Sequence, residues 1–151
     1  MQKYFPITSE GLIHLKEEKE KLLEKRPRTV ESLRIAREMG DLSENAAYKV
    51  ARMELSSIDS RLKYLQKMIL TAKVVTSEKT GYAGIASQVR FKKDGKEGNY
   101  QIVGSIESDP SRGKISHVSP IGRALIGKKA GDKVAIETPR GRVFYEILSI
   151  D

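Results

Sequence analysis

The sequence predicts an α+β protein in which an N-terminal antiparallel helical hairpin, a coiled coil, precedes a small, mostly antiparallel β domain with one short helix. Residues 9–72 contain few helix breakers, and their apolar residues recur at spacings of three and four. From Gly81 onward, glycines recur at short intervals and β-branched residues dominate the apolar positions. We therefore predict the hairpin over residues 1–76, a linker over 77–82 and the β domain over 83–151.

The second arm of the hairpin carries the clearest helical pattern. Its apolar residues alternate spacings of three and four, which places them on one stripe along a helix, while polar residues fill the other faces. The stripe consists of Tyr48, Ala51, Leu55, Ile58, Leu62, Leu65, Ile69 and Ala72.

The first arm shows a rougher version of this pattern after two candidate N-caps, Thr8 and Ser9. Lys19 and Arg26 interrupt the apolar positions. Pro27 lacks the backbone N–H that a helix interior uses, so we expect a kink or a restart there. The apolar positions of this arm are Leu12, Leu15, Leu22, Val30, Leu33 and Ala36.

The two arms are predicted to be joined by Met39, Gly40 and Asp41 alone, and so short a connection requires antiparallel helices. An arm of about 30 residues spans roughly 45 Å at about 1.5 Å per residue, which is longer than a small core needs. This length suggests either dimerisation through the coiled coil or projection of the connection into a distant site.

The second half of the chain is predicted to form short strands separated by turns at residues 93–96 and 139–141. Ser119 and Pro120 are typical of an N-cap and a first helical position, so one short helix should run through Leu125 and end near Gly127. The predicted strands are Ile85–Phe91, Tyr100–Val103, Lys114–Val118, Val134–Thr138 and Val143–Ile150.

The composition limits the classes of function. Lys and Arg number 28 against 20 for Asp and Glu, and the net charge of +8 favours a polyanionic partner such as nucleic acid or an enzyme that holds it. The chain has no cysteine, which excludes disulfides and thiolate metal sites. His14 and His117 lack partners at metal-ligand spacing. With no apolar run of membrane-spanning length and no signal peptide, we expect a cytoplasmic location and no membrane partner.

Two acidic residues, Asp41 and Glu44, lie at the connection between the arms. Mg²⁺ takes oxygen ligands and commonly uses one or two protein carboxylates, so this pair can complete a magnesium site only together with other ligands. The same residues fit a helix capping box, in which Asp41 caps the second arm and Glu44 reaches back to the cap. The spacing alone leaves both interpretations open.

Several motifs of the chain resemble the Gre family of transcript-cleavage factors, in the same order along both halves. The opening run, residues 8–11 with Leu15, and the Arg26-Pro27 step belong to this pattern. So does the late run of residues 119–128, followed by Gly131-Asp132. At the connection the matching residues are Ala36-Arg37-Glu38, Gly40-Asp41-Leu42, Ser43-Glu44-Asn45-Ala46, Tyr48 and Ala51-Arg52.

The resemblance implies a coiled coil that enters the secondary channel of bacterial RNA polymerase, while a domain similar to FK506-binding proteins docks at the channel rim. Asp41 and Glu44 would then hold a Mg²⁺ ion jointly with the polymerase, which itself cleaves the RNA 3′ end of a backtracked transcript. The chain is accordingly expected to be a monomer, to bind no Mg²⁺ stably alone, and to activate the polymerase rather than to be an enzyme.

The resemblance also assigns residues around the acids. Arg37, Lys49 and Arg52 are expected to contact RNA or polymerase, although a solvated helix face explains any one of them equally well. The family commonly has a basic residue where this chain has Ser43, and a further acid where it has Ala47. The residues expected to shape the tip are Gly40, Asn45 and Tyr48.

Two other functions remain open from the sequence. One is a Gre-like regulator or inhibitor that occupies the polymerase channel without stimulating cleavage. The other is a peptidyl-prolyl isomerase or chaperone, which rests only on the fold analogy of the second domain.

Overall fold

The computed structural model describes residues 3–151 and contains two compact units. One unit, Leu12–Thr71, contains nearly all of the helical hairpin. The other combines the residues up to Gly11 with Ala72–Asp151. The predicted bounds of the hairpin segment, the linker and the β domain stay a prediction.

The hairpin consists of helix α1, Ser9–Glu38, and helix α2, Ala46–Thr71. The apolar stripe predicted for α2 is confirmed from Tyr48 to Ile69, since Ala51, Ile58 and Leu65 are buried and the other members are half-buried. Ala72, its last predicted member, lies in the strand that follows the helix. The connection covers residues 39–45 and is longer than predicted.

The buried stripe of α1 differs from the predicted one at a single position. Val30 is 40% exposed, whereas Thr29 is only 3% exposed. Thr29 stands three residues after Arg26 and four before Leu33, so it continues the heptad spacing that Val30 breaks. Its hydroxyl donates a hydrogen bond to the Lys25 carbonyl oxygen at 3.5 Å, which allows a polar side chain to occupy this buried position.

Helix α1 continues through Pro27 without interruption, so the expected restart is wrong. Ion pairs between the arms involve α1 residues that precede the proline. The Arg26 guanidinium donates from Nε and Nη2 to the two carboxylate oxygens of Asp59 at 2.6 and 3.2 Å. The other pairs between the arms are Lys25 with Glu54 at 2.7 Å and Arg61 with Glu18 at 2.6 Å.

Two short strands, absent from the sequence prediction, flank the hairpin. Strand β1, Phe5–Ile7, precedes α1, and strand β2, Ala72–Val74, follows α2 directly. They pair in parallel, with Phe5 opposite Ala72, and Val75 N donates to the Ile7 carbonyl oxygen at 2.9 Å. Ile7 is fully buried at this position.

The remaining strands form a five-stranded sheet in the order β5-β4-β3-β7-β6. All neighbours are antiparallel except β4 and β5, which are parallel. The Asp94-Gly95 turn joins β3 to β4 with both residues at positive φ. The strands are β3 Gln88–Lys93, β4 Lys96–Val103, β5 Lys114–Ser116, β6 Lys133–Thr138 and β7 Gly141–Ile150.

The short predicted helix is confirmed as α3, Pro120–Leu125. Ser119 caps it by accepting a hydrogen bond from Gly122 N at 3.0 Å, and Leu125 is fully buried. The sheet and α3 share one apolar core, which contains Val89, Phe91, Ile102, Leu125, Val134, Ile136, Tyr145 and Ile147.

The α+β class, with a helical hairpin before a mostly antiparallel sheet, is thus confirmed. The likeness of the second domain to FK506-binding proteins stays a prediction. None of the helices within residues 3–151 combines the length and apolarity that crossing a membrane requires.

Candidate functional site

The connection between α1 and α2 begins with a glycine turn. Met39 N still donates to the Ala36 carbonyl oxygen at 3.2 Å, and Gly40 then adopts a φ of 118°. A side chain at this φ would be strained, so glycine allows the helix to end here. Met39 is 73% exposed and Leu42 41% exposed, so the connection carries two apolar side chains on its surface.

Asn45 caps the second helix. Its side-chain Oδ1 accepts a hydrogen bond from Tyr48 N at 3.0 Å, three residues into the helix. Its Nδ2 donates to the Ala36 carbonyl oxygen at 2.6 Å, at the end of the opposite helix. One half-buried amide therefore satisfies groups at both helix ends and joins the two arms.

The capping box expected from Asp41 and Glu44 is not formed. Helix α2 begins at Ala46, after both acids, rather than at Asp41. Asp41 Oδ1 accepts hydrogen bonds from Ser43 N at 3.0 Å and from Ser43 Oγ at 2.9 Å. This local turn competes with a helical start at Asp41, and Asn45 supplies the cap instead.

The Asp41 carboxylate is exposed and ionised. The two hydrogen bonds from Ser43, first from its backbone N–H and then from its hydroxyl, lower the pKa of Asp41. Both bonds go to Oδ1, and within residues 3–151 Oδ2 has no hydrogen-bond partner. This oxygen is therefore free to bind a cation or a water molecule.

The Glu44 carboxylate lies on the same connection and is also exposed. Within the described part of the chain it makes no hydrogen bond or ion pair. Since neither acid is needed for the helix cap, both carboxylates remain available to an external ligand.

The three predicted basic contacts surround this connection on both helices. The Arg37 guanidinium lies over the Tyr48 ring, with Cζ 5.8 Å from the ring centroid. Tyr48 itself is half-buried, as its place on the apolar stripe indicates. Lys49 and Arg52 are exposed on one face of α2, and neither forms an ion pair within residues 3–151. Arg34, by contrast, is paired with Glu31 and Glu38, each at 2.7 Å.

The site therefore brings acidic oxygens and unpaired cations together at one end of the hairpin. Carboxylates are the ligands that Mg²⁺ prefers, and two of them leave most of an octahedral shell to waters or to another molecule. In the described residues, no group of three or more His, Cys, Asp or Glu side chains is placed to hold a metal ion.

Sequence reasoning missed the roles of Asn45 as helix cap and of Ser43 as hydrogen-bond donor. Asparagine is a preferred N-cap, so the signal for Asn45 was present. Asp41, Ser43 and Asn45 are all good caps within one short segment, and only the packing of the two arms distinguishes them.

Family comparisons cover nearly the whole chain. Residues 5–74 match the model described as "Transcription elongation factor, N-terminal", and residues 78–151 match "Transcription elongation factor, GreA/GreB, C-term". With both halves matched in order, the chain belongs to the GreA/GreB family of transcription elongation factors.

Curated relatives agree with this assignment. The chain is 44% identical over 156 aligned residues to transcription elongation factor GreA of Lactococcus lactis subsp. cremoris, strain SK11, covering 100% of both sequences. It is 43% identical to GreA of Bacillus cereus, strain AH187, covering 99% of this chain and 98% of the relative. Among solved structures, GreA factor homolog 1 of Thermus thermophilus matches with a TM-score of 0.46 and 24% identity over 99% of each chain.

Proposed function

We propose that the chain stimulates the Mg²⁺-dependent cleavage of backtracked transcripts by bacterial RNA polymerase and so rescues arrested elongation complexes. The hairpin enters the secondary channel as a monomer and carries its connection to the polymerase active site. The polymerase provides the catalytic framework, while this chain provides two carboxylates and a positioned tip.

One observation carries the proposal. Asp41 and Glu44 are exposed, and the task of capping α2 falls to Asn45. Two acids that serve only local structure would be expected to use their oxygens in the cap. A rod of about 45 Å, with free carboxylates where its helices meet, is suited to deliver them into a narrow site.

Asp41 and Glu44 would hold the Mg²⁺ ion together with oxygens of the polymerase. When bound, the ion supplies activation of the attacking water and neutralisation of charge on the phosphate. The hydrogen bonds from Ser43 lower the pKa of Asp41, so its carboxylate stays in the ligating form to a lower pH than an ordinary aspartate would. Asn45 keeps both acids outside the helix.

Arg37, Lys49 and Arg52 would contact the extruded RNA 3′ end or the channel wall. Cations beside a phosphate backbone contribute affinity without reading the base sequence. Lys49 and Arg52 are suited to this role because both are exposed without an internal partner among the described residues.

The β domain would dock at the outer rim of the channel. Its surface has a mostly apolar cavity of about 350 Å³ next to α3, lined in part by Tyr100, Ile115, Pro120 and Ile121. An apolar cavity of this size is suited to receive side chains of a partner protein.

The test is transcript cleavage in defined backtracked complexes, with wild-type protein and Asp41→Asn at saturating concentration. Asparagine still accepts the hydrogen bonds of Ser43 but is a poorer Mg²⁺ ligand. Even the loss of an outer-shell partner of a metal ligand costs about 10- to 100-fold, so we expect cleavage to slow by about tenfold or more. Glu44→Gln should behave similarly.

Glu38→Gln is the matched control, because it removes one exposed carboxylate from the same end of the hairpin. It should cleave at the wild-type rate. Full activity of Asp41→Asn, with polymerase binding intact, would refute the assignment of this acid. If wild-type protein binds the polymerase and changes elongation without any Mg²⁺-dependent cleavage, the chain is a channel-binding regulator instead.

A further inference from the structure

The ion pairs between the two arms show how the sides of the hairpin are arranged. Lys25 pairs with Glu54 at 2.7 Å, and Arg61 pairs with Glu18 at 2.6 Å. In heptads counted from the buried stripes, all four residues stand at position g, directly before position a. Because the helices are antiparallel, the g positions of both arms lie on one side of the hairpin and the e positions lie on the other.

The basic residues nearest the connection all lie on the e side. Arg37 and Arg52 stand at position e, and the other two stand at position b, which adjoins it on the helix surface. No other Lys or Arg occurs between residues 29 and 55. We call this surface the basic flank, and it consists of Arg34, Arg37, Lys49 and Arg52.

The opposite side of the same end carries no charge. Within residues 29–53, positions c and g hold five exposed residues, and position c adjoins g on the helix surface. Val50 is 63% exposed and Ile35 47% exposed, and Met39, which directly follows α1, is 73% exposed. Ser32 lies at the margin of this surface. We call the other four residues the apolar flank: Ile35, Met39, Ala47 and Val50.

The packing of the two arms does not require the side chains of the apolar flank. Positions a and d form the buried stripes, and Asn45 makes the cap at the connection. Single exposed apolar residues are common on protein surfaces. Several of them on one uncharged flank, beside carboxylates that are available to an external ligand, instead indicate a surface that contacts another molecule.

The chemistry of the apolar flank favours a protein as its partner. Nucleic acid is bound by cations and by aromatic rings, and this flank has neither. A membrane surface binds helices that carry cations beside their apolar residues, whereas the cations here lie on the opposite flank. Aliphatic side chains and the flexible Met39 side chain match the apolar surface of a partner protein. The flank is continuous with the candidate site, since Met39 lies two residues before Asp41.

We propose that the apolar flank packs against an apolar protein surface in the channel of RNA polymerase, while the basic flank faces the extruded RNA. The proposal rests on the function proposed above. The hairpin is then held on two sides, by burial of apolar surface on one side and by contact of cations with phosphates on the other. The two contacts can be removed separately, because the flanks share no residue.

The experiment measures binding of the full chain to RNA-free polymerase, so it does not depend on cleavage. Ile35→Gln combined with Val50→Gln removes two apolar side chains of the flank, and Gln is a good helix former. The matched control is Ile13→Gln combined with Leu70→Gln, because these residues are 53% and 67% exposed near the other end of the same helices. Met39→Gln, outside both helices, decides the question if the double variant of the flank does not fold.

The double variant of the apolar flank should raise the dissociation constant by about tenfold or more, since loss of one well-packed contact residue commonly costs about fivefold. Met39→Gln should raise it by about fivefold, and the control by less than about twofold. These ratios should persist at higher salt concentration, because salt screens contacts between charges but does not weaken apolar ones. At saturating concentration the maximal cleavage rate should stay within about twofold of wild type, unlike in Asp41→Asn.

An unchanged dissociation constant in the flank variants would overturn the proposal, and so would equal weakening in the control. Weakening that appears only with RNA-containing complexes would overturn it by assigning the flank to RNA. A wild-type dimer in sedimentation that the double variant does not form would overturn it by assigning the flank to a second copy of the chain. If wild-type protein binds polymerase without stimulating cleavage, the proposed function fails, whereas the binding comparison still decides whether the flank contacts polymerase.

Discussion

Asn45 offers the most direct test of how the tip is built, because its single amide makes two separable contacts. Asn45→Ala removes both the cap of Tyr48 N and the bond to the Ala36 carbonyl oxygen. Asn45→Ser keeps a hydroxyl that can cap the helix but cannot reach across to Ala36. The two variants therefore remove the contacts stepwise.

The expected magnitudes follow from typical values for each contact. Loss of an N-cap costs about 1 kcal/mol, and loss of a neutral hydrogen bond contributes about 1 kcal/mol more. For Asn45→Ala the sum of about 2 kcal/mol corresponds to roughly 30-fold easier opening of the first turn of α2. For Asn45→Ser, a loss of about 1 kcal/mol corresponds to roughly fivefold.

Amide hydrogen exchange of Tyr48, followed by NMR, measures this opening directly. Asn99→Ala, at an exposed position of β4, is the control and should leave Tyr48 exchange unchanged. Cleavage activity should follow the same order, with Asn45→Ala the weaker variant. Wild-type exchange of Tyr48 in Asn45→Ala would refute both contributions. Equal exchange in the two variants would refute the contribution of the cap, and wild-type exchange in Asn45→Ser would refute the contribution of the bond to Ala36.

The remaining predictions concern the two cores and the acid at the tip. Leu65→Ala should destabilise the hairpin by about 2–5 kcal/mol in chemical denaturation, because this side chain is fully buried. Gly122→Ala should lower the thermal midpoint of the β domain, since a Cβ there would collide with backbone of β5, whereas Gly84→Ala has open space and should not. Ser43→Ala should raise the pKa of Asp41 part of the way toward its ordinary value, as measured by NMR titration. The native hydrogen bonds depress this pKa, so their contribution is complete above the ordinary pKa of aspartate and disappears as pH falls through the folded value.

Leu70→Ala, at a position 67% exposed on the same helix, should have little effect, so similar losses for both leucines would contradict the packing described for α2. Equal midpoints for the two glycine variants would contradict the close approach at Gly122. If Ser43→Ala leaves the pKa of Asp41 unchanged, the Ser43 hydroxyl does not contribute to lowering this pKa. Ser43→Thr is the control, because it keeps a hydroxyl and should leave the pKa of Asp41 low.

The sequence predicted those parts of the fold whose signal is local and repeated. The α2 stripe follows from regular spacing, and α3 follows from Ser119 and Pro120. Strands β1 and β2 were missed because each has three residues and its partner lies beyond the whole hairpin. The burial of Thr29 in place of Val30 was missed because valine is the more hydrophobic residue, whereas the heptad spacing places position 29 on the buried stripe.

For the candidate site, the sequence located the acids but not the residues that hold them. Asp41 and Glu44 are exposed as a ligand role requires, although the start of α2 was placed at the wrong residue. Several good capping residues lie within one short segment there, and their intrinsic preferences are nearly equal. Sequence reasoning also missed the hydrogen bond from Thr8 N to the Glu107 carboxylate, because the two residues are far apart in the sequence and only folding brings them together.

The parallel pairing of β1 with β2 has a consequence for the order of folding. Parallel neighbours need a long crossover, and here the entire hairpin is that crossover. Closing a flexible segment of about 65 residues would cost roughly 4 kcal/mol or more in chain entropy. When the two antiparallel helices pack together, they bring residue 72 back near residue 7, so most of this entropy cost is met before the strands pair. The helical hairpin should therefore form first. During synthesis, Phe5–Ile7 should stay unpaired until Val74 has been synthesised.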